Sequence, residues 1–139
     1  MDRAQCERSF GGWDSDMKVQ DFKDLVVWQK AKELAIEIYR ITTDFPRSEQ
    51  FGLISQIRRA VVSIPSNIAE GYARQHTREF MQFLFVALSS AAELETQLII
   101  SKGLGYTKAE SFDKVIDRLK EIQRMLNGLI NSLRAKVSV

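Results

Sequence analysis

Two arginines side by side, Arg58 and Arg59, carry the most pointed chemistry in this sequence. Neighbours on a helix point roughly 100° apart, so both cannot face a core, and each guanidinium can grip a carboxylate or a phosphate through two parallel N–H bonds. One reading is an interhelical or intersubunit salt bridge, the commoner use of such a pair. The other is contact with nucleic acid. Arg74 and Arg78 flank the loop that follows and enlarge the second reading to a set of four: Arg58, Arg59, Arg74 and Arg78. Glu93 and Glu95 are the acids expected to satisfy the first, by pairing with Arg58 or Arg59. Arg118, Lys120 and Arg124 alternate with Asp117 and Glu121, the mixed sign of a solvated helix face.

Catalytic chemistry finds little to work with. His76, the single histidine, sits beside Thr77 without a second acid–base group at a fixed spacing, and reads as a surface or capping residue. Cys6 lies where nothing would lower the pKa of a thiol, and reads as incidental. One His and one Cys leave too few soft ligands for a zinc site, and Glu93 and Glu95 lack the E-x-x-H partner that a di-metal bundle uses. Gly103-x-Gly105 lacks the third glycine and the preceding strand of a phosphate loop, and a helix end explains both glycines. Ser63, Ser66 and Asn67 surround Pro65 and are expected to bond backbone groups that the proline frees. No catalytic residue, metal ligand or cofactor is assigned.

The elements that must position these residues belong to one folded domain. A chain of 139 residues, 45% hydrophobic and 27% charged, can bury one core but not two comfortable ones, and a single Cys excludes an intrachain disulfide framework. A formal charge of +2 declares no partner by itself. With neither a basic-then-apolar leader nor an uninterrupted apolar run of membrane length, the expectation is a soluble, cytoplasmic chain with no membrane contact. Residues 1–20 lack any period and hold Gly11-Gly12 beside isolated Phe10 and Trp13, so they read as a flexible tail, with Met17 a natural start for the domain. Residues 1–16 carry two basic against four acidic side chains, which leaves eighteen against fourteen, or +4, for the remainder.

Over residues 21–136 the apolar pattern is helical four times. Leu25, Trp28, Ala31, Ala35, Ile38 and Thr42 recur by three and four and predict a first helix from Asp24 to about Thr43, closed by Asp44-Phe45-Pro46. A second helix, with Ser48 as N-cap and Glu49 in its first turn, carries Phe51, Ile54, Ile57, Val61, Ile64 and Ile68 and ends at Gly71; Pro65 predicts a kink, or two helices meeting there. The third, capped by Thr77, runs through Phe80, Leu84, Ala91 and Leu98, is apolar nearly all round for its middle turns and needs cover on more than one side. Thr107-x-x-Glu110 matches a capping box for a fourth helix that runs through Phe112, Leu119, Leu126 and Leu133. Short loops make consecutive helices neighbours, so the expected fold is all-α, an up-down-up-down four-helix bundle.

Phe22-Lys23-Asp24-Leu25-Val26-Val27-Trp28-Gln29-Lys30-Ala31, Phe51-Gly52-Leu53-Ile54-Ser55-Gln56-Ile57-Arg58-Arg59-Ala60 and Ser63-Ile64-Pro65-Ser66-Asn67-Ile68-Ala69-Glu70-Gly71 together closely resemble the four-helix bundle proteins encoded within 23S rRNA intervening sequences. Glu79-Phe80 and Glu93-Leu94-Glu95-Thr96-Gln97-Leu98 extend the likeness, which covers about residues 19–133. The resemblance implies a ring-shaped homopentamer without enzymatic activity and an association with rRNA. A structurally similar relative, the accessory variability protein of diversity-generating retroelements, binds nucleic acid and a reverse transcriptase, which adds a protein-interaction scaffold as the alternative. Five copies of a +4 domain would gather about +20 on one assembly.

Overall fold

Asp21 opens the part of the chain that the computed structural model describes, residues 21–137; the expected tail over 1–20, with Cys6 and Met17, lies outside it. Asp21 Oδ1 accepts from Lys23 N at 2.6 Å and Asp24 Oδ2 from Asp21 N at 3.3 Å, a reciprocal cap on the 3₁₀ turn Phe22–Asp24. Leu25, extended and fully buried, then breaks the turn from the first long helix, α1, Val26–Thr42. The helix therefore starts two residues later than its periodicity predicts. Val27 and Leu34 take core places beside Ala31, Ala35 and Ile38, while Trp28 moves to the rim.

Beyond Pro46 the chain makes the 3₁₀ turn Arg47–Glu49 before α2, Leu53–Ala73. Ser48 is not the N-cap. The cap residue is Gly52, and the side chain that serves the helix start is Glu49, whose Oε1 accepts from Leu53 N at 3.2 Å. Its other oxygen accepts from Tyr106 Oη at 3.0 Å, and that bond, with burial second, raises the pKa of the phenol. Phe51 falls before the helix and is 90% exposed, so it leaves the predicted core stripe that Ile54, Ile57, Val61, Ile64 and Ile68 keep.

One helix, not two, runs through Pro65. Nor does it stop at Gly71: the helix continues to Ala73, and Gly71 is buried where α2 meets the next helix. A Cβ there would come within 2.7 Å of Phe83 Cβ and 2.9 Å of the Phe80 ring, so the glycine is required by close approach and not by a helix end.

α3 spans Thr77–Gly103, with His76 and not Thr77 at the N-cap position and no side-chain cap bond. Phe80, Leu84, Ala87, Ala91, Leu94 and Leu98 form its buried stripe. Phe85, Val86, Ile99 and Ile100 are each between 43% and 54% exposed, the uncovered remainder of the apolar circumference. By length and composition alone α3 is apolar enough to cross a membrane, with mean hydropathy 1.5 over eighteen residues. Gly105, at φ +79°, turns the chain out of it, as the glycine spacing predicts. Thr107 does not use its hydroxyl as a capping box requires: it is buried and its Oγ1 lies 2.8 Å from Ser101 Oγ, which binds the turn to the last coil of α3.

α4, Ala109–Val137, completes four helices with no strand among the described residues. Each helix packs on two others, α1 on α2 and α4, α3 on α2 and α4. Residue order across the seams runs in opposite senses. Lys30 pairs with Glu121 and Glu37 with Lys114 and Arg118; Phe85 meets Arg134, Glu95 meets Lys120, and Lys102 lies over Phe112.

Candidate nucleic-acid interface

The four arginines singled out by type divide into three environments. Arg58 turns toward α1. Its Nε donates to Thr42 Oγ1 at 2.9 Å, an Nη donates to the Tyr39 carbonyl at 3.2 Å, and the guanidinium lies 4.5 Å from the centre of the Tyr39 ring. These contacts occupy the charge at the C-terminal end of α1, where exposed carbonyls favour a cation.

Arg59, one position on, points to the other side of α2 and is exposed. It lines a cleft of about 370 Å³ between α2 and α3, together with Gln56, Ala60, Ser63, Ser90 and Glu93. Arg74, at the end of α2, holds its guanidinium 5.3 Å from the Phe83 ring centre, and Arg78 is exposed in the first turn of α3. Among the described residues none of Arg59, Arg74 and Arg78 forms an ion pair. Fifteen helical steps, about 22 Å, separate Arg59 from Arg74, so the set is not gathered at a point.

Of the two acids expected as partners of Arg58 or Arg59, Glu95 goes elsewhere, and Glu93 lines the same cleft as Arg59 without forming an ion pair among the described residues. Glu95 pairs with Lys120 at 2.7 Å and accepts from Gln123 at 3.2 Å, across the α3–α4 seam. Those two bonds, Lys120 first, hold its carboxyl below the ordinary glutamate range. Glu93 accepts from Gln97 Nε2 at 3.1 Å and keeps an open side toward the cleft.

Ser63 and Asn67 bond one another and not the Val61 carbonyl, the group that Pro65 leaves without its helical donor. Asn67 Nδ2 donates to the Ser63 carbonyl at 2.8 Å and to Ser63 Oγ at 2.9 Å, and Ser63 Oγ meets Ser90 Oγ at 2.8 Å, so the polar residues near Pro65 also join two helices. Ser66 instead lines a separate groove of about 590 Å³ between α1 and α2, whose walls include Trp28, Ile36, Tyr39, Val62 and Pro65. His76 is exposed beside the α2–α3 loop. No cluster of three His, Cys, Asp or Glu able to hold a metal ion occurs among the described residues.

Gln56, Ser90 and the open side of Glu93 were not singled out as a site by residue type. A signal exists: Gln56, Arg59, Ser63 and Asn67 recur by three, four and four, a polar stripe at helical spacing, and Ser90, Glu93 and Gln97 repeat it on α3. Apolar stripes masked it because each helix was assigned its face by its hydrophobic residues.

Residues 23–128 match the family model described as 23S rRNA-intervening sequence protein. Among solved structures, a protein of unknown function from the S23 ribosomal protein family of Bacteroides thetaiotaomicron VPI-5482 is similar with a TM-score of 0.69 and 29% identity, over 76% of this chain and 98% of that one. No curated protein matches the chain.

Proposed function

The chain belongs to the 23S rRNA-intervening sequence protein family, and from that premise we propose that it is a non-enzymatic, homo-oligomeric bundle that binds RNA through the α2–α3 side. The observation that carries the reading is the row of Arg59, Arg74 and Arg78, exposed and without carboxylate partners among the described residues, while Glu37, Glu95 and Glu121 are occupied in other seams. Guanidiniums spaced along one side suit a phosphate backbone, which is itself an extended row of charges. Arg58 is better read as structural, since Tyr39 and Thr42 hold it.

Assembly into a ring, five subunits by family resemblance, is supported by two different apolar surfaces on one chain. The α1–α2 groove carries Ile36, Tyr39 and Val62, each at least 40% exposed, and α3 presents Phe85, Val86, Ile99 and Ile100. Unlike patches on one subunit suit head-to-tail contact, which forms a ring where the rotation between subunits closes. The groove also favours a second reading, a scaffold that docks an apolar segment of a protein partner.

Light scattering on a size-exclusion column, with absorbance read at two ultraviolet wavelengths, tests both parts. A mass near five subunits with a nucleic-acid component that high salt removes is expected. A clean oligomer without RNA affinity at low salt would transfer the weight to the scaffold, and a monomer would overturn the ring.

A further inference from the structure

The α2–α3 cleft is chemically unlike a bare phosphate site. Arg59 brings a guanidinium to it, but Glu93 brings a carboxylate, which repels an anion. A ligand that suits both must offer N–H donors on one side and acceptors on the other. Ser63 Oγ already accepts from Asn67 and shares one hydrogen with Ser90 Oγ, so the two serines retain one hydroxyl hydrogen between them at the cleft wall.

Glu93 is held for accepting. Gln97 Nε2 donates to its Oε1, and Gln97, one turn on, is 6% exposed, so burial limits where that amide can move. A carboxylate oxygen has two acceptor sites, so this bond leaves both Glu93 oxygens able to accept again. Among the four RNA bases, guanine alone presents two parallel N–H donors, N1 and N2, beside an acceptor, O6. Two donors side by side match the two oxygens of a carboxylate, and O6 with N7 matches the fork of an arginine. Adenine and cytosine would turn a ring-nitrogen lone pair toward Glu93, and uracil offers it a single donor.

We propose that this cleft receives one unpaired guanine, with Glu93 accepting from N1–H and N2–H, Arg59 donating to O6 or N7, and Gln56 and the free serine hydroxyl at the margin. The proposal rests on the RNA-binding reading and deepens it, turning the α2–α3 side from a charge track into one with a base-reading position.

The test compares a short single-stranded oligouridine with the same oligomer carrying one central guanosine, by fluorescence anisotropy with the full chain and its Glu93→Gln variant. Glu93→Gln keeps the shape and can still accept from Gln97, and circular dichroism confirms its fold. The unmodified chain should prefer the guanosine oligomer by about tenfold, the discrimination of one good bidentate contact, and the variant should lose that preference while binding oligouridine at least as well. Equal affinity of the unmodified chain for both oligomers would overturn the guanine site and leave RNA binding standing. A preference that survives Glu93→Gln would place the reading of the base elsewhere and also overturn it. Failure to bind either oligomer at low salt would overturn both proposals.

Discussion

Arg58 lies over the ring of Tyr39 and also donates to the carbonyl of the same residue, so one side chain of α2 closes the end of α1 by two routes. Its neighbour Arg59 shares none of this. Two adjacent, chemically identical residues thus have different surroundings, α1 for Arg58 and the α2–α3 cleft for Arg59.

Arg58→Ala should lower stability by roughly 1–3 kcal/mol, because it removes charge-assisted bonds and a stacked guanidinium and leaves the Thr42 hydroxyl without that donor. Arg59→Ala should stay within about 0.5 kcal/mol. Urea denaturation of both variants checks the contrast, and equal losses would contradict the assignment.

Gly71→Ala carries an unusual sign. In an open helix interior the exchange stabilises by about 1 kcal/mol. Here the new methyl would lie 2.7 Å from Phe83 Cβ, an atom fixed by its backbone, so α2 and α3 must separate. A loss of about 1–3 kcal/mol is expected. A thermal midpoint at or above that of the unmodified chain would mean that the helices can part at no cost.

Acid should weaken the bundle through Glu95 and Glu121. Lys120 lowers the first and Lys30 the second below the ordinary value of 4.5. The folded state then binds fewer protons than the unfolded state in that window, so the stabilisation is present above pH 4.5 and is lost as pH falls through the depressed values. Denaturation midpoints of the unmodified chain and Glu95→Gln, measured from pH 7 to 3, should converge at the acid end. A gap independent of pH would show that Lys120 contributes nothing to folding through this carboxylate.

Assembly is expected to need both apolar surfaces. Ile36→Lys in the groove and Ile99→Lys on α3 should each reduce the native mass while leaving the helical circular dichroism unchanged. If neither single change alters the mass, the subunits meet through other faces.

How much of this was legible in the sequence depends on the kind of contact. Ile57, Val61, Ile64 and Ile68 were placed correctly because a stripe at three-four spacing must be buried by something. Gly105 was legible because few other residues take its φ. Thr107 and Gly71 were misread for a common reason: each obeys a local rule for helix ends, and a neighbouring helix then takes it for another purpose, Ser101 in one case and Phe83 in the other. The cleft lay one step further off. Periodicity tells which side of α2 Arg59 occupies, but only interhelix register brings Ser90 and Glu93 opposite it.

The ion pairs between α1 and α4 join residues about eighty to ninety positions apart, whereas Ser63 and Ser90 close a far shorter loop. Loop entropy lets the near partners meet first, so the charged seam is the last to zip. The contacts of Arg58 with Thr42 and Tyr39 span still shorter loops and dock α1 on α2 early, so an α4 not yet closed on α1 meets the same charged groups on the α1 of a second molecule as on its own. Refolding at high concentration and low salt is therefore the condition under which two chains would exchange their fourth helices and emerge interlocked.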